Sequence, residues 1–273
     1  MLNKISELGQ ASQYDAYYNP ARLFAIARYL KRQEIGVESS QLPFFGYDYW
    51  NHYEVSWLNA KGKPEVALAE IVYDCTTPYL IESKSLKLYF NSFNNTMFNN
   101  KEEIERTVIR DLSKCVQGDV TVNIRSLHEK KYTQISPYFA GECIDLLDIT
   151  CSIYEIEPKF LTTDGGIITE TLYSDLLKSN CLVTNQPDWG SVQIAFQGPR
   201  INREGLLKYI VSFRNHNEFH EQCIERIFMD IKNHCKPDKL TVYGRYTRRG
   251  GIDINPYRST ENIQETNTRL VRQ

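Results

Sequence analysis

"LKLYFNSFNNTMFNNKEEIERTVIRDLSKCVQGDVTVNIR", residues 86–125, decides the fold, because the chain repeats it. Laid without gaps on residues 206–245, "LLKYIVSFRNHNEFHEQCIERIFMDIKNHCKPDKLTVYGR", it matches at twelve of forty positions. Ordinary composition gives about two or three such identities. Among the matches are Tyr89/Tyr209, Ser92/Ser212, Phe93/Phe213, Ile104/Ile224, Glu105/Glu225 and Cys115/Cys235. The chain is therefore expected to hold two modules offset by 120 residues.

Each module reads as a hairpin, two helices and a further strand pair. "HYEVSWLNAKGKPEVALAEIVYD" alternates in polarity on both sides of a Gly/Pro turn, as a hairpin does, and "NCLVTNQPDWGSVQIAFQG" is expected to do the same. "REGLLKYIVSF" and "EFHEQCIERIFMDIKNH" have helical spacing, with Phe219, Cys223, Ile224, Ile227, Phe228 and Ile231 as an apolar stripe. "KLTVYGRYTRR" opens a strand pair. The fold class is α+β, with helices packed on one face of an antiparallel sheet. We expect an N-terminal extension at 1–42, a first module at 43–160 and a second at 161–273, with 157–175 linking them.

The modules diverge where they carry chemistry. His220 and Glu221 stand opposite Asn100 and Lys101, and Glu82, Ser83 and Lys84 stand opposite Asn202, Arg203 and Glu204. Polar groups that differ between otherwise similar modules suggest a site at a module or subunit interface, to which each half gives different groups.

Composition narrows the classes. With 41% apolar and 24% charged residues, the chain of 273 residues is globular. A net charge of −2 argues against a polyanion surface, since phosphate-backbone affinity needs uncompensated Lys and Arg. Seven scattered cysteines without a CxxC suggest neither a disulfide framework nor a zinc knuckle. The start lacks the apolar core of a signal peptide, and no apolar run approaches a membrane span of about 20 residues. We expect a soluble protein of a reducing cytoplasm with no metal and no nucleic-acid partner.

Four stretches carry candidate chemistry, each beside an ordinary structural role. In "IESKSLKLYFNSF", Glu82 before a helix is either a helix-start acid favoured by the macrodipole or an acceptor for two parallel N–H donors, with Lys84 and Lys87 facing an anion. In "NEFHEQCIER", His220 is either a surface or core histidine or a group that relays protons near neutrality. In "RYTRRGGIDINP", the arginines end a solvated strand or, with Gly250 beside them, meet a phosphate. In "SNCLVTNQPDWGS", Cys181 at an expected strand start is either a small buried hydrophobe or a nucleophile with Asp188 as its acid. No GxGxxG follows a strand, so a Rossmann site is not expected.

"ESKSLKLY", "SNCLVTNQPDWGS", "FHEQCIERI" and "YTRRGGIDINP" together resemble the long, two-module branch of the 7-cyano-7-deazaguanine reductases, the NADPH-dependent nitrile reductases of queuosine biosynthesis. The likeness runs from about "LPFFGYDYW" to the closing "TRLVRQ". It implies two tunnel-fold modules and a homodimer. It also implies Cys181 as the nucleophile that forms a thioimide, Asp188 as proton donor and acceptor, and His220 beside the reacting centre. By the same carry-over, Ile81, Glu82, Ser83, His220 and Glu221 bind the deazaguanine. Ser83, Lys84, Arg249 and Gly250 contact NADPH, two of which are consumed per turnover. The rival readings are a cysteine hydrolase, a tunnel-fold cyclohydrolase and a purine- or pterin-binding module without chemistry. A cyclohydrolase calls for a Cys and His metal set that the five histidines do not suggest.

Overall fold

The structure is a computed structural model that describes residues 14–128 and 135–273. The described residues fall into two compact units. The first draws on residues 14–30, 48–128 and 248–254, the second on residues 31–47, 135–247 and 255–273. The units thus interleave along the chain, where the boundaries at 42/43 and 160/161 cut it in series.

The chain opens with β1 (Ala25–Ala27) and α1 (Tyr29–Glu34), followed by β2 (Phe45–Leu58), β3 (Pro64–Asp74) and β4 (Tyr79–Ile81). Within the first unit β1 pairs antiparallel with β4, so this part of the N-terminal extension is built into the unit. Helices α2 (Ser83–Asn91) and α3 (Lys101–Val116) lead to β5 (Val120–Ser126), which pairs antiparallel with β3. Ala67, Ala69, Ile71 and Tyr73 alternate along β3 and face the core with Leu86, Tyr89 and Phe90 of α2 and Phe93 of the turn after it. Ile104, Val108, Leu112 and Val116 make the matching stripe on α3 at a spacing of four. Alternation on the strands and a single stripe on each helix are what put both helices on one sheet face.

In the second unit, β6 (Ile135–Ser136) and β7 (Glu142–Cys143) precede the long hairpin of β8 (Thr163–Asn180) and β9 (Pro187–Ile201). Helices α4 (Arg203–Ser212) and α5 (His220–Cys235) follow, then β10 (Lys239–Tyr246), β11 (Ile252–Ser259), whose first three residues count with the first unit, and β12 (Arg269–Leu270). β9 pairs antiparallel with β8 and with β10. The sheet is not wholly antiparallel, since β7 runs parallel to β8 over two residues. Residues 163–175 are part of β8, which corrects the expected linker at 157–175. The outer end of that strand is exposed and carries Gly165 and Gly166, so it lacks the apolar alternation by which a half-buried strand is read. Among the described residues, no helix is long and apolar enough to cross a membrane.

The repeat reaches into side-chain detail. Ser92 Oγ donates to Tyr89 O at 2.6 Å, and Ser212 Oγ donates to Tyr209 O at 2.6 Å. Tyr89 OH donates to Asp111 at 2.7 Å and Tyr209 OH to Asp230 at 2.6 Å, through acids that lie one position out of the 120-residue register. Helix α5 is further fixed by a buried ion cluster in which Glu225 takes Arg32 at 2.7 Å and Arg258 at 2.9 Å. Both guanidiniums lie over the Phe44 ring at 5.7 Å. Residues 31–47 are thereby tied to the helix that opens with His220.

Candidate active site

In the second unit the site is built on the turn that joins β8 to β9. Cys181 is not at a strand start: β9 begins at Pro187, and Leu182–Thr184 form the turn itself. The apolar pair Leu182–Val183 imitates a strand, but Asn185, whose φ of 55° is left-handed, reverses the chain. The Cys181 N–H donates to Gln186 O at 2.8 Å, and Asn185 N–H donates to Cys181 O at 3.1 Å. This closes a stem and leaves the thiol 3% exposed by residue. Asp188, also buried, stands opposite Ser179 in the register, on the strand that follows the turn.

His220 and Glu221 open α5, and Glu221 is buried. His220 Nε2 lies 3.8 Å from Asp188 Oδ1, an ion-pair distance longer than a hydrogen bond. The edge of the imidazole meets the buried Tyr246 ring at 4.1 Å between centroids. Gly190 makes room for that ring, since a Cβ there would stand 3.0 Å from Tyr246 Cδ1. Just before the histidine, buried Glu218 accepts from Arg226 at 2.8 and 3.0 Å and pairs with His216 at 2.9 Å. Burial pushes its carboxyl up, but those two partners together bring it below its ordinary value. Burial pushes the Cys223 thiol up to about 12, and Cys115 and Cys235 to about 11, which leaves them as thiols and poor nucleophiles.

In the first unit, β4 delivers Ile81 and Glu82 to the start of α2, where Ser83 is the first helical residue. Glu82 is 1% exposed and caps the helix: Oε1 accepts from Lys84 N–H at 2.9 Å and Oε2 from Ser85 N–H at 2.7 Å. It is thus a helix-start acid, but a buried one rather than a solvated one. Burial pushes its carboxyl up, against the two N–H bonds and the charges of Lys84 and Arg249. Each oxygen keeps a lone pair, so the group can still accept from a ligand.

The Gly250–Gly251 turn lies in the same unit, with φ of 62° and 77°. A Cβ on Gly250 would press Lys87 Cδ at 3.1 Å, and one on Gly251 would overlap Glu54. His52 Nδ1 donates to Gly251 O at 3.0 Å, and Arg248 lies over the Tyr53 ring at 4.7 Å. Lys87 pairs with Glu54 at 3.2 Å, so it does not stand open to an anion as expected. A glycine turn with left-handed φ, preceded by Arg248 and Arg249, suits the phosphates of a dinucleotide.

The expected residues therefore form two groups: Cys181, Asp188, His220 and Glu221 in one unit, and Ile81, Glu82, Ser83, Lys84, Arg249 and Gly250 in the other. Sequence reading missed Tyr246 and the Glu218–Arg226–His216 cluster. The charge pair at a spacing of eight gave a faint signal for the cluster, and Tyr246 gave none, because strand alternation alone does not say which ring meets a histidine.

Residues 14–124 match the family described as "Nitrile reductase, 7-cyano-7-deazaguanine-reductase N-term", and residues 187–265 match "QueF-like protein". The chain is 62% identical over 270 residues to the NADPH-dependent 7-cyano-7-deazaguanine reductase of Legionella pneumophila strain Lens, covering 98% of this chain and 95% of that one. The protein of the same description from strain Corby is 61% identical with the same coverage. Crystals of the apo archaeosine synthase QueF-Like show a remote likeness, with a TM-score of 0.31 and 14% identity over 37% of this chain and 99% of that one. With both family regions matched and such identity along nearly its whole length, the chain belongs to the 7-cyano-7-deazaguanine reductase family.

Proposed function

We propose that this chain is an NADPH-dependent oxidoreductase that reduces the nitrile 7-cyano-7-deazaguanine to 7-aminomethyl-7-deazaguanine in queuosine biosynthesis. The observation that carries the reading is the β8–β9 turn, with Cys181 and Asp188 on its two sides and His220 Nε2 at 3.8 Å from the acid, in a chain of this family. A nitrile carbon is a soft electrophile that suits a thiolate. Cys181 adds through sulfur to that carbon, and Asp188 moves the thiol proton to the nitrile nitrogen, giving a thioimide with nothing expelled. His220, neighbour of the acid, steadies or relays that proton. When the C–N bond is half reduced, the C–S bond breaks, the electron pair returns to sulfur, and the product at carbon is an imine. Burial of Cys181, Asp188 and Glu221 keeps water from the imine before it becomes the amine.

Glu221 and His220, and Glu82 with Ile81 and Ser83, are the proposed contacts of the deazaguanine, the carboxylates accepting from its ring N–H groups. Ser83, Lys84, Arg249 and Gly250 fit the phosphates of NADPH by the left-handed glycine turn and its cations. Bound there, NADPH supplies hydride, two for the four electrons that separate nitrile from amine. Arg249→Ala should raise the Michaelis constant for NADPH while the thioimide still forms without it. The protein is proposed to work in the cytoplasm as a homodimer. In support of the latter, the outer end of β8 leaves Ile167 64% exposed and the loop before it leaves Leu146 92% exposed, apolar surface that a second copy can cover. Light scattering at working concentration tests the dimer. Mixing protein, nitrile and NADPH and following the loss of NADPH absorbance tests the function: two consumed per amine formed supports it, and no consumption removes it.

A further inference from the structure

Within the second unit, the turn that carries Cys181 is tied to the segment leading into His220 by a chain of side-chain amides. Asn180, the last residue of β8, forms an isolated parallel bridge with Asn217. Its N–H donates to His216 O at 2.8 Å, and its carbonyl accepts from Glu218 N–H at 3.1 Å. Asn180 Nδ2 donates to Asn217 Oδ1 at 3.1 Å, and Asn217 Nδ2 donates onward to Asn185 Oδ1. Lys178 sets the direction of the chain: its Nζ lies 2.6 Å from Asn180 Oδ1, and an ammonium can only donate. Asn180 must then turn its NH2 to Asn217, which turns its own to Asn185.

One carboxamide therefore bridges both ends of the Cys181 turn. Asn180 immediately precedes the cysteine, and Asn185 donates its N–H to the Cys181 carbonyl at 3.1 Å. A carboxamide accepts on one side and donates on the other, which neither an apolar side chain nor a carboxylate of that length does. Asn217 also stands three residues before His220, and Glu218 between them is locked by Arg226 and His216.

We propose that Asn217 is a positioning residue that holds the Cys181 turn in register with the first turn of α5, so that the thiol, Asp188 and His220 keep one geometry. This deepens the reading of Cys181 as the nucleophile and rests on it. Asn217 touches no reacting atom; it acts through the turn. Displacement of a reacting group by about an ångström slows a step by roughly 100-fold.

The test compares wild type, Asn217→Ala, Asn185→Ala and the double variant by two measurements. One is the rate of the nitrile adduct on Cys181 without NADPH. The other is the rate at which iodoacetamide labels each cysteine, read peptide by peptide. Asn217→Ala should slow the adduct roughly 100-fold and speed Cys181 labelling at least about tenfold as the turn opens locally. Labelling of the buried Cys75, Cys223 and Cys235 should not change, and the double variant should be no worse than the single. If Asn217→Ala fails to fold, Asn185→Ala reads the same contact from the exposed side of the turn. Unchanged Cys181 labelling, or an equal rise at all four cysteines, overturns the proposal. Selective labelling changes in a protein whose wild type forms no nitrile adduct would remove the reductase reading and leave the positioning role standing.

Discussion

The starts of the four long helices differ between the two units in a reciprocal way. In the first unit it is α2 that begins on a buried acid, Glu82, while α3 begins on the exposed cap Asn100, whose Oδ1 accepts from Glu103 N–H at 2.9 Å. In the second unit α4 begins on Asn202, whose Oδ1 accepts from Gly205 N–H at 2.7 Å, while α5 begins on His220 and buried Glu221. Asn100 and Asn202 are the repeat counterparts of His220 and Glu82. The same backbone thus keeps an asparagine at a helix start at one copy of each position and a group proposed to meet the ligand at the other. Glu82 is both buried and a cap, accepting from the N–H groups of Lys84 and Ser85, whereas Asn202 is a cap that also reaches Asp164.

The sharpest way to break this comparison is through the hairpin turns. The first unit's turn is closed by Asn59, whose Oδ1 accepts from the N–H groups of Lys61 and Lys63, and it holds no cysteine. The second unit's turn holds Cys181. Protein mixed with the nitrile alone should gain the full mass of one substrate, and Cys181→Ala should abolish adduct and turnover while non-covalent binding survives. Asp188→Asn should lose at least about 100-fold of turnover, the scale of a removed general acid. A matching loss in Glu65→Gln, the acid at the start of β3, would end the asymmetry. An adduct that maps to Cys223 or Cys235 would remove Cys181 from the mechanism.

Substrate affinity comes next in size. Replacing Glu221 or Glu82 with Leu should weaken binding by about 2–5 kcal/mol, the scale of a lost buried charged hydrogen bond. Lys101→Leu, the counterpart of Glu221, should leave affinity as it was. Glu82 adds a pH signature. Burial raises its pKa above the usual carboxylate value of 4.5, and only the ionised form accepts at both oxygens. Affinity should therefore fall on the acid side at a pH above the ordinary carboxylate range, and Glu82→Gln should remove that limb. Calorimetry across pH decides, and an acid limb that persists in Glu82→Gln assigns it to another group.

The repeat made both helix pairs legible, because apolar stripes at helical spacing depend only on local sequence. The candidate residues were legible by motif. What stayed hidden depends on contacts distant in sequence. The exposed outer end of β8 carries no alternation, so it passed for a linker. Tyr246 and Asn217 owe their places to packing against His220 and Asn180, which no spacing announces. Residues 248–254 fall with the first unit although they lie beyond the second module's helices, because the Gly250–Gly251 turn is held by His52 and Tyr53 of β2.

A smaller asymmetry lies in the histidines. In the second unit His216 has a carboxylate partner in Glu218, whereas in the first unit buried His52 donates only to the Gly251 carbonyl among its described hydrogen bonds. Burial lowers the His52 pKa from 6.5 to about 4. The unfolded chain binds that proton first as pH falls, so stability is level above about 6.5, declines between about 6.5 and 4, and levels again below. The total from this group is about 3 kcal/mol. Urea unfolding at pH 7 and pH 4.5 should show the decline, and His52→Phe should flatten that part of the curve. An unchanged slope in the variant would mean that other groups carry it.

The smallest effect belongs to the counterpart caps. Asn100→Ala and Asn202→Ala each remove one side-chain acceptor from a helix start, which costs about 1 kcal/mol of stability. Asn202 also donates to Asp164 at 2.7 Å, so its loss should be the larger of the two. Neither change should touch the nitrile adduct, the affinity for substrate or the Michaelis constant for NADPH, since the chemistry has been assigned to the opposite copy of each position. Replacing Glu82, by contrast, removes a cap and a ligand contact together, so Glu82→Leu should lose stability and affinity at once. Unfolding midpoints set beside titrations separate the two effects. A cap variant that kept its stability but lost affinity would show that the plain copies still act, and the reciprocal division between the units would fall.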